Sequence, residues 1–566
     1  MSPESDSKRE VDARRRRRTD PPAGQERKQA PAPQRRRSRS GQQPASTGTG
    51  TNLSGSPGGK KLPGWAAVLI LIVFVLFYIF SSSGGDGSSE PVSDLPGGQN
   101  NLPDTSLNAP QPTSPPFELP AAMPDAPVWL VMLYQDADDK ILEQDILLDF
   151  NEAERIGSSP NVHIVSQLDR FNGGYQGDGD WRTTKRFYIT QDLDLSRIGS
   201  EELADLGEVN MADGDTLVDF VTWAVQNFPA DKYVLILSDH GMGWPGGWSD
   251  PAPGGRGDPD IPLAARLGDE LYLMELDQAL TDIRDQTGIE KFELIGMDAC
   301  LMGHVEVFSA LAPHARYAVA SQETEPALGW AYTGFLEALI ANPDMDGSEL
   351  GEQIVSSYID NDQRIVDDQA RAEFLRQGSP MGSIFDLLLG GSPSTMDADQ
   401  LAQQLGQGIT LTAADLESLP ELTASLNQFA LALQNSDQSV IARARNYAQS
   451  FTSVFGREVP PSYIDLGNFV SLLLQESNDS ELSRAGARLL QAIDQVVIAE
   501  KHGPKKPGAT GLSIYFPNSS LFSNPIAGPD SYVAIANRFA EETLWDEFLV
   551  YHYTGNNFEA GSRGTT

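Results

Sequence analysis

Between residues 127 and 345 the apolar positions alternate between short unbroken runs and stretches where they recur every three or four residues. Val128–Leu133 predicts a buried strand, followed by an acidic turn at 136–139 and an amphipathic helix over about 140–155. The runs at 161–168 and 186–190 predict a second strand and a third that pairs with it through the glycine-rich loop 172–180. Leu217, Val221, Ala224 and Phe228 recur at helical spacing and lead into the strand run 233–237; Leu273, Leu276, Leu280 and Ile283 do the same ahead of 292–297. A helix over about 301–311 and a short strand at 316–320 follow. Strands alternating with helices predict βαβ units, hence an α/β fold whose mostly parallel sheet is flanked by helices. Beyond Asp346 the pattern is coarser. Helical spacing dominates from about 396 to 500, the run 511–516 predicts a buried strand, and 532–551 a closing helix. This C-terminal portion either completes the sheet or forms a second subdomain, and no internal repeat is evident.

Charge divides the chain. Residues 1–61 hold 15 Lys+Arg against 6 Asp+Glu, and the remainder 26 against 73, so the net −38 hides a basic tail joined to an acidic folded part. Residues 62–80 are apolar and uncharged, with Pro63 and Gly64 the only breakers; as a helix they span about 28 Å, close to a bilayer's hydrocarbon core. Lys60, Lys61 and the arginine clusters at 14–18 and 35–39 precede this run. The expectation is a single-pass cell-membrane protein with residues 1–61 as a cytoplasmic tail and everything after about Ser81 exported. A cleaved signal peptide is the competing reading, but a 61-residue leader is far longer than a signal's basic region. The tail is Arg-, Pro-, Ser- and Gln-rich and is expected to be disordered, setting topology and able to touch anionic lipid or nucleic acid. Residues 81–126 read as a flexible linker. No nucleic-acid binding is expected of the acidic folded part.

The candidate chemistry lies at two strand ends. Cys300, the chain's one cysteine, follows the run 292–297 in Gly296-Met297-Asp298-Ala299-Cys300; sixty positions earlier the run 233–237 ends in Ser238-Asp239-His240-Gly241. One cysteine in an exported region forms no intramolecular disulfide and is a candidate reactive thiol, although a buried inert cysteine is the ordinary alternative. At the amino end of a following helix, backbone N–H groups and the dipole would favour a thiolate. An imidazole at the neighbouring strand end would assist its formation and protonate a leaving amine. Gly241 frees the backbone to approach a substrate, and the Gly241 and Cys300 N–H groups are candidate oxyanion donors. In an extended strand Asp298 faces the same way as Cys300, which makes its carboxylate a candidate for binding a basic side chain, with helix capping as the alternative.

These blocks, 233–241 and 292–302, resemble the two signatures of clostripain-like cysteine peptidases. Ser321–Pro326 with Gly329-Trp330, Tyr463–Leu466 and Gly511–Pro517 are also similar to that family, so the resemblance covers most of 128–550. It implies a caspase-like α/β fold, a His240/Cys300 dyad, Asp298 as the residue binding the substrate's basic side chain, and hydrolysis after Arg or Lys. Gln322 stands where many relatives carry an acidic residue, which would alter subsite preference. The implied organisation is a caspase-like catalytic domain at 127–395 followed by a helical region at 396–555.

Other signals are weaker. His304 is expected a turn away from Cys300 and partly exposed; His163, His314, His502 and His552 follow no ligand spacing, and the pairings of a zinc site are absent. Asn342, Asp344, Asp346 and Gly347 partly match a calcium loop whose twelfth position is Gln353 rather than Glu, so a solvated acidic turn is favoured and no metal ligand or cofactor is assigned, while the family resemblance keeps calcium open. The Pro- and Gly-rich stretch 249–269 carries Arg256 and Arg266 and reads as an exposed loop suited to self-cleavage. The leading expectation is therefore a membrane-anchored cysteine endopeptidase acting on polypeptides at Arg or Lys. The alternative is a non-catalytic surface protein that binds basic peptides or partners.

Overall fold

The structure, a computed structural model, describes residues 125–557 except 180, 327, 378–396 and 457–458, together with 119 and 121–123. The basic tail, the apolar segment 62–80 and most of the linker lie outside the described residues. Among the described residues no helix is long and apolar enough to cross a membrane.

Thirteen strands are found among the described residues: β1 (Trp129–Ala137), β2 (Val162–Arg170), β3 (Lys185–Tyr188), β4 (Glu201–Asp205), β5 (Lys232–Ser238), β6 (Gly246–Gly247), β7 (Leu271–Tyr272), β8 (Phe292–Asp298), β9 (Ala315–Ala320), β10 (Thr410–Asp415), β11 (Tyr463–Asp465), β12 (Val497–His502) and β13 (Ser513–Tyr515). Nine form one sheet in the order β12-β10-β9-β8-β5-β1-β2-β3-β4. Its five central strands are parallel, and both flanks are antiparallel.

All nine residues of β1 are buried, as a parallel strand covered on both faces requires. Leu130, Met132 and Tyr134 pack with the helices Gly214–Asn227 and Leu273–Thr287; Trp129, Val131 and Leu133 pack with Glu143–Ile156, Tyr332–Ala341 and Gly347–Ser357. The period-2 alternation of a strand therefore serves two cores at once. Because β1 has β2 on one side and β5 on the other, the chain reverses direction across the sheet here. At such a switch point a crevice opens at the carboxyl ends of the strands.

The C-terminal portion completes the sheet. It does so through β10 and β12, both inside the stretch expected to be helical, whereas the expected 511–516 strand contributes β13 to a separate pair with β11. Val497-Ile498-Ala499 follows the helix Ser480–Val496 without a glycine or proline to mark the change, so helical spacing runs into the strand unannounced. The expected closing helix 532–551 is three helices, Pro529–Ile535, Asn537–Glu542 and Trp545–Thr554.

Candidate active site

His240 stands two residues beyond the end of β5, on a chain reversal that brings Gly241 opposite Gly247. Its Nε2 lies 3.4 Å from Asp139 Oδ1 in the turn after β1. That same oxygen accepts the Ile141 and Leu142 N–H groups at 2.7 and 2.8 Å, so the carboxylate is fixed where the next helix begins. Burial opposes a charged imidazole, but the charge and hydrogen bond of Asp139, then Asp239 and Glu270, outweigh it and push His240 up to about 9. Asp139 is held below the usual carboxylate range: burial works against this, and His240 with the two N–H groups prevails. At rest the pair is an imidazolium facing a carboxylate.

Cys300 does not begin a helix. β8 ends at Asp298, and the next helix, Val305–Leu311, starts five residues after the cysteine. In between, Leu301 takes a left-handed φ of 67°. Leu301 N–H donates to Glu323 O at 3.1 Å and Gly303 N–H to Ser321 O at 2.6 Å, so this segment runs along the 321–323 loop instead of winding into helix. β13 buttresses it, Ser513 N–H donating to Gly303 O at 2.9 Å. The sulfur is half-buried and accepts the Glu325 N–H at 3.4 Å. Burial, then the charge of Glu325, pushes the thiol up to about 12, the Glu325 N–H pulling the other way. The same-face reading of Asp298 and Cys300 along a strand is corrected accordingly: the strand stops at Asp298.

The two strand ends nevertheless converge. β5 and β8 are neighbours with Ser238 opposite Asp298, and His240 and Cys300 each lie two residues further on. A Cβ on Gly241 would meet Cys300 O at 2.1 Å, so only glycine permits this approach. Neither the Gly241 nor the Cys300 N–H enters a turn or loop hydrogen bond among the described residues.

His240 and Cys300 share a small cleft of about 60 Å³ whose other walls include Asp145, Asp149, Asp298 and Glu325. Asp298 accepts Tyr332 Oη–H at 2.9 Å and Trp330 N–H at 3.4 Å. Its carboxyl also lies within hydrogen-bonding reach of Glu325, a contact that needs one shared proton. Burial pushes Asp298 up to about 6 and Asp145 to about 7, and drives Asp149 and Glu325 well above the carboxylate range. Gly329, at φ 61°, lets two of them face each other: a Cβ there would stand 2.4 Å from Asp149 Oδ2 and 3.2 Å from Asp298 Oδ2. Arg364 is the cation beneath, but it is already bound to Asp149 and Asp362, each at 2.7 Å. The Asp298–Glu325 pair, sharing one proton, leaves one negative charge beside Cys300.

Other sequence expectations change. His304 is fully buried, edge-on to Tyr463 at 4.2 Å, rather than partly exposed. Gln322 is buried too, donating to Asp465 Oδ2 at 3.0 Å and accepting the Gly511 N–H at 3.1 Å, which makes it a strut between three of the quoted motifs rather than a subsite residue. Asp346 caps the helix Gly347–Ser357 through the Glu349 N–H at 2.9 Å, and Gln353 lies inside that helix, so the partial calcium loop is a helix start. His163, His314 and His552 bond to Tyr188, Asp277 and Gln438; His502 bonds to Glu500. In the 249–269 stretch, Arg266 ends a short helix, Pro262–Leu267, while Arg256 is exposed outside any element. Asp139, Asp145, Asp149 and Glu325 were not singled out from sequence. The one available signal was the i,i+4 spacing that puts Asp145 and Asp149 on one helical face.

The sheet thus carries a half-buried thiol and an imidazole at adjacent strand ends. Residues 134–372 match the family model described as the clostripain family, a family of cysteine peptidases. It is 29% identical over 198 residues to clostripain of Hathewaya histolytica, covering 31% of this chain and 34% of that protein. The chain thus spans about a third of the length of the curated relative it matches. Among solved structures it is similar to an inactive zymogen protease from Parabacteroides distasonis (16% identity, TM-score 0.47, 76% of this chain and 99% of that one). A secreted cysteine protease from Bacteroides thetaiotaomicron bound to an irreversible peptide inhibitor is similar as well (16%, 0.47, 73% and 98%).

Proposed function

We propose that this chain is a cysteine endopeptidase that cleaves polypeptides after Arg or Lys. The observation that carries the reading is the shared cleft, lined together by one thiol, one imidazole and the carboxyl groups of Asp145, Asp149, Asp298 and Glu325. A guanidinium or ammonium entering beside Cys300 meets Asp298 and Glu325, with charge-assisted, bidentate geometry open to arginine. It also offsets the nearby negative charge that adds to burial in holding the thiol up. The neutral fraction of His240 takes the Cys300 proton as the sulfur attacks the scissile carbonyl, the Gly241 and Cys300 N–H groups hold the oxyanion, and the imidazolium so formed protonates the leaving amine before assisting water in deacylation. Asp139 is a positioning residue that holds the ring and keeps it charged. Hydrolysis of arginyl and lysyl fluorogenic peptides, with neutral and acidic peptides left intact, tests the assignment.

Asp139→Asn is expected to lower kcat/KM by about tenfold or more at pH 8. The limb of the pH profile set by His240 should move from about 9 toward the ordinary imidazole value of 6.5. The sign follows from His240's raised value. Its charged form stabilises the fold fully below pH 6.5, and that contribution is lost as pH rises through about 9. The variant should therefore lose stability at pH 6–8 and little at pH 10, and a pH series of unfolding midpoints with unchanged spacing from wild type would contradict the pairing.

The reading extends to location and processing. Residues 62–80 anchor the chain in the cell membrane, the basic tail stays cytoplasmic, and the acidic domain faces outward. Protease treatment of intact cells is expected to remove the 127–555 region, and protection of that region would reverse the topology. Arg256, exposed between the two strands that carry the dyad, is the favoured self-cleavage site.

A further inference from the structure

The 321–325 loop that faces Cys300 is held from the far end of the chain. Its backbone touches the cysteine turn twice: Glu323 O accepts the Leu301 N–H at 3.1 Å, and the Glu325 N–H donates to the sulfur at 3.4 Å. Glu323 lies between these two contacts, its side chain almost fully buried and no part of the cleft wall. One of its carboxylate oxygens accepts the Thr324 and Thr452 N–H groups at 2.9 and 3.3 Å. The other meets the Lys506 ammonium.

Lys506 is fixed for that contact. It sits in Gly503-Pro504-Lys505-Lys506-Pro507-Gly508, the turn after β12, whose Gly503 and Lys505 N–H groups donate to Ile409 O and Gln407 O, each at 2.9 Å. Its Nζ also donates to Ser450 O at 3.2 Å and stands 5.3 Å from the centre of the Phe451 ring, within cation–π range. A carboxylate as buried as that of Glu323 needs such a partner, because a bare charge at that depth is costly. The titratable and charged groups facing the sulfur are Glu325, Glu323 and Asp298, with His240 in the same cleft and the Tyr358 phenol within its field.

We propose that Lys506 is a positioning residue for Cys300: by pairing with Glu323 it holds the 321–325 loop against the cysteine turn and cancels one of the negative charges that face the sulfur. Burial and Glu325, then Glu323 and Asp298, all raise the thiol, so a paired Glu323 opposes the thiolate less than a bare one. The C-terminal portion thereby contributes to the reacting centre without entering the cleft. The inference rests on the reading of Cys300 as nucleophile, yet its test needs no peptide.

The test follows alkylation of Cys300 by iodoacetamide in the full-length protein from about pH 6 to 10, where the rate tracks the thiolate fraction. Lys506→Gln should shift the profile toward higher pH by about half a unit or more, which slows alkylation about threefold at pH 8. Glu323→Gln, which leaves the ammonium without its countercharge, should shift the profile the other way by a similar factor. The double variant should return to within about twofold of wild type. Opposite shifts separate charge from scaffolding, since a lost strut would loosen the loop alike whichever partner is removed. The proposal is overturned if Lys506→Gln alkylates at the wild-type rate, or if both single variants shift the rate the same way. Should Lys506→Gln not fold, the other two variants decide: a rate in Glu323→Gln at or below wild type, or a faster rate that the double variant shares, overturns it. A chain that shows the opposite shifts but hydrolyses no arginyl peptide would strike the peptidase reading and leave the pairing standing.

Discussion

Cys300→Ala is expected to lower hydrolysis of an arginyl peptide by about four orders of magnitude or more, to the level sustained by binding and oxyanion donors alone. The fold should survive. Cys300 is half-buried in a turn whose course is set by backbone bonds from Leu301 and Gly303, so the sulfur contributes little to placing that turn. The loss would come from chemistry: without sulfur no acyl-enzyme forms, and the Glu325 N–H loses its acceptor. His240→Ala should fall nearly as far, and the two losses should not add, because the residues act as one unit. The same variant reports on processing. If Arg256 is a self-cleavage site, active protein migrates as fragments on a denaturing gel and Cys300→Ala as one band.

Asp298→Asn carries the second-largest effect, a drop of about 10²- to 10³-fold in kcat/KM for arginyl and lysyl peptides, the range for removing one partner of a buried charge pair. Alkylation of Cys300 by iodoacetamide should persist, which separates lost substrate binding from a lost nucleophile. A pH signature accompanies it. Asp298 titrates near 6 and shares a proton with Glu325, so the pair keeps one negative charge above pH 6 and loses it below. KM for basic peptides should therefore rise as pH falls through about 6 in the wild type. In Asp298→Asn that limb disappears. Full activity of the variant on arginyl peptides would remove Asp298 from the specificity floor, leaving Asp145, Asp149 and Glu325 as the acidic wall.

The sheet's centre was legible because its strands are short apolar runs between helices of regular spacing, and β1, β2, β5, β8 and β9 lie where those runs fall. The positions of His240 and Cys300 followed from that, since a run's last apolar residue marks the strand end. What escaped was long-range. Nothing local connects Asp139 to a histidine about a hundred positions later, or sets Glu325 beside Cys300 through a loop that Leu301's left-handed turn brings close. The start of the helix after Cys300 was misplaced for the same reason, because the hydrogen bonds that delay it come from 321–323. β10 and β12 were hidden among helices, one a buried and the other a half-buried run, each too brief to break the helical period.

Treatment of the purified full-length protein with an arginyl chloromethyl ketone, followed by mass analysis of its peptides, tests the shared cleft most directly. One adduct per chain on Cys300 is the expected result, forming far more slowly in Asp298→Asn and not at all in His240→Ala. An unmodified thiol, or an adduct forming equally fast without the imidazole, would mean that sulfur and ring do not work together and that the cleft binds basic peptides without cutting them.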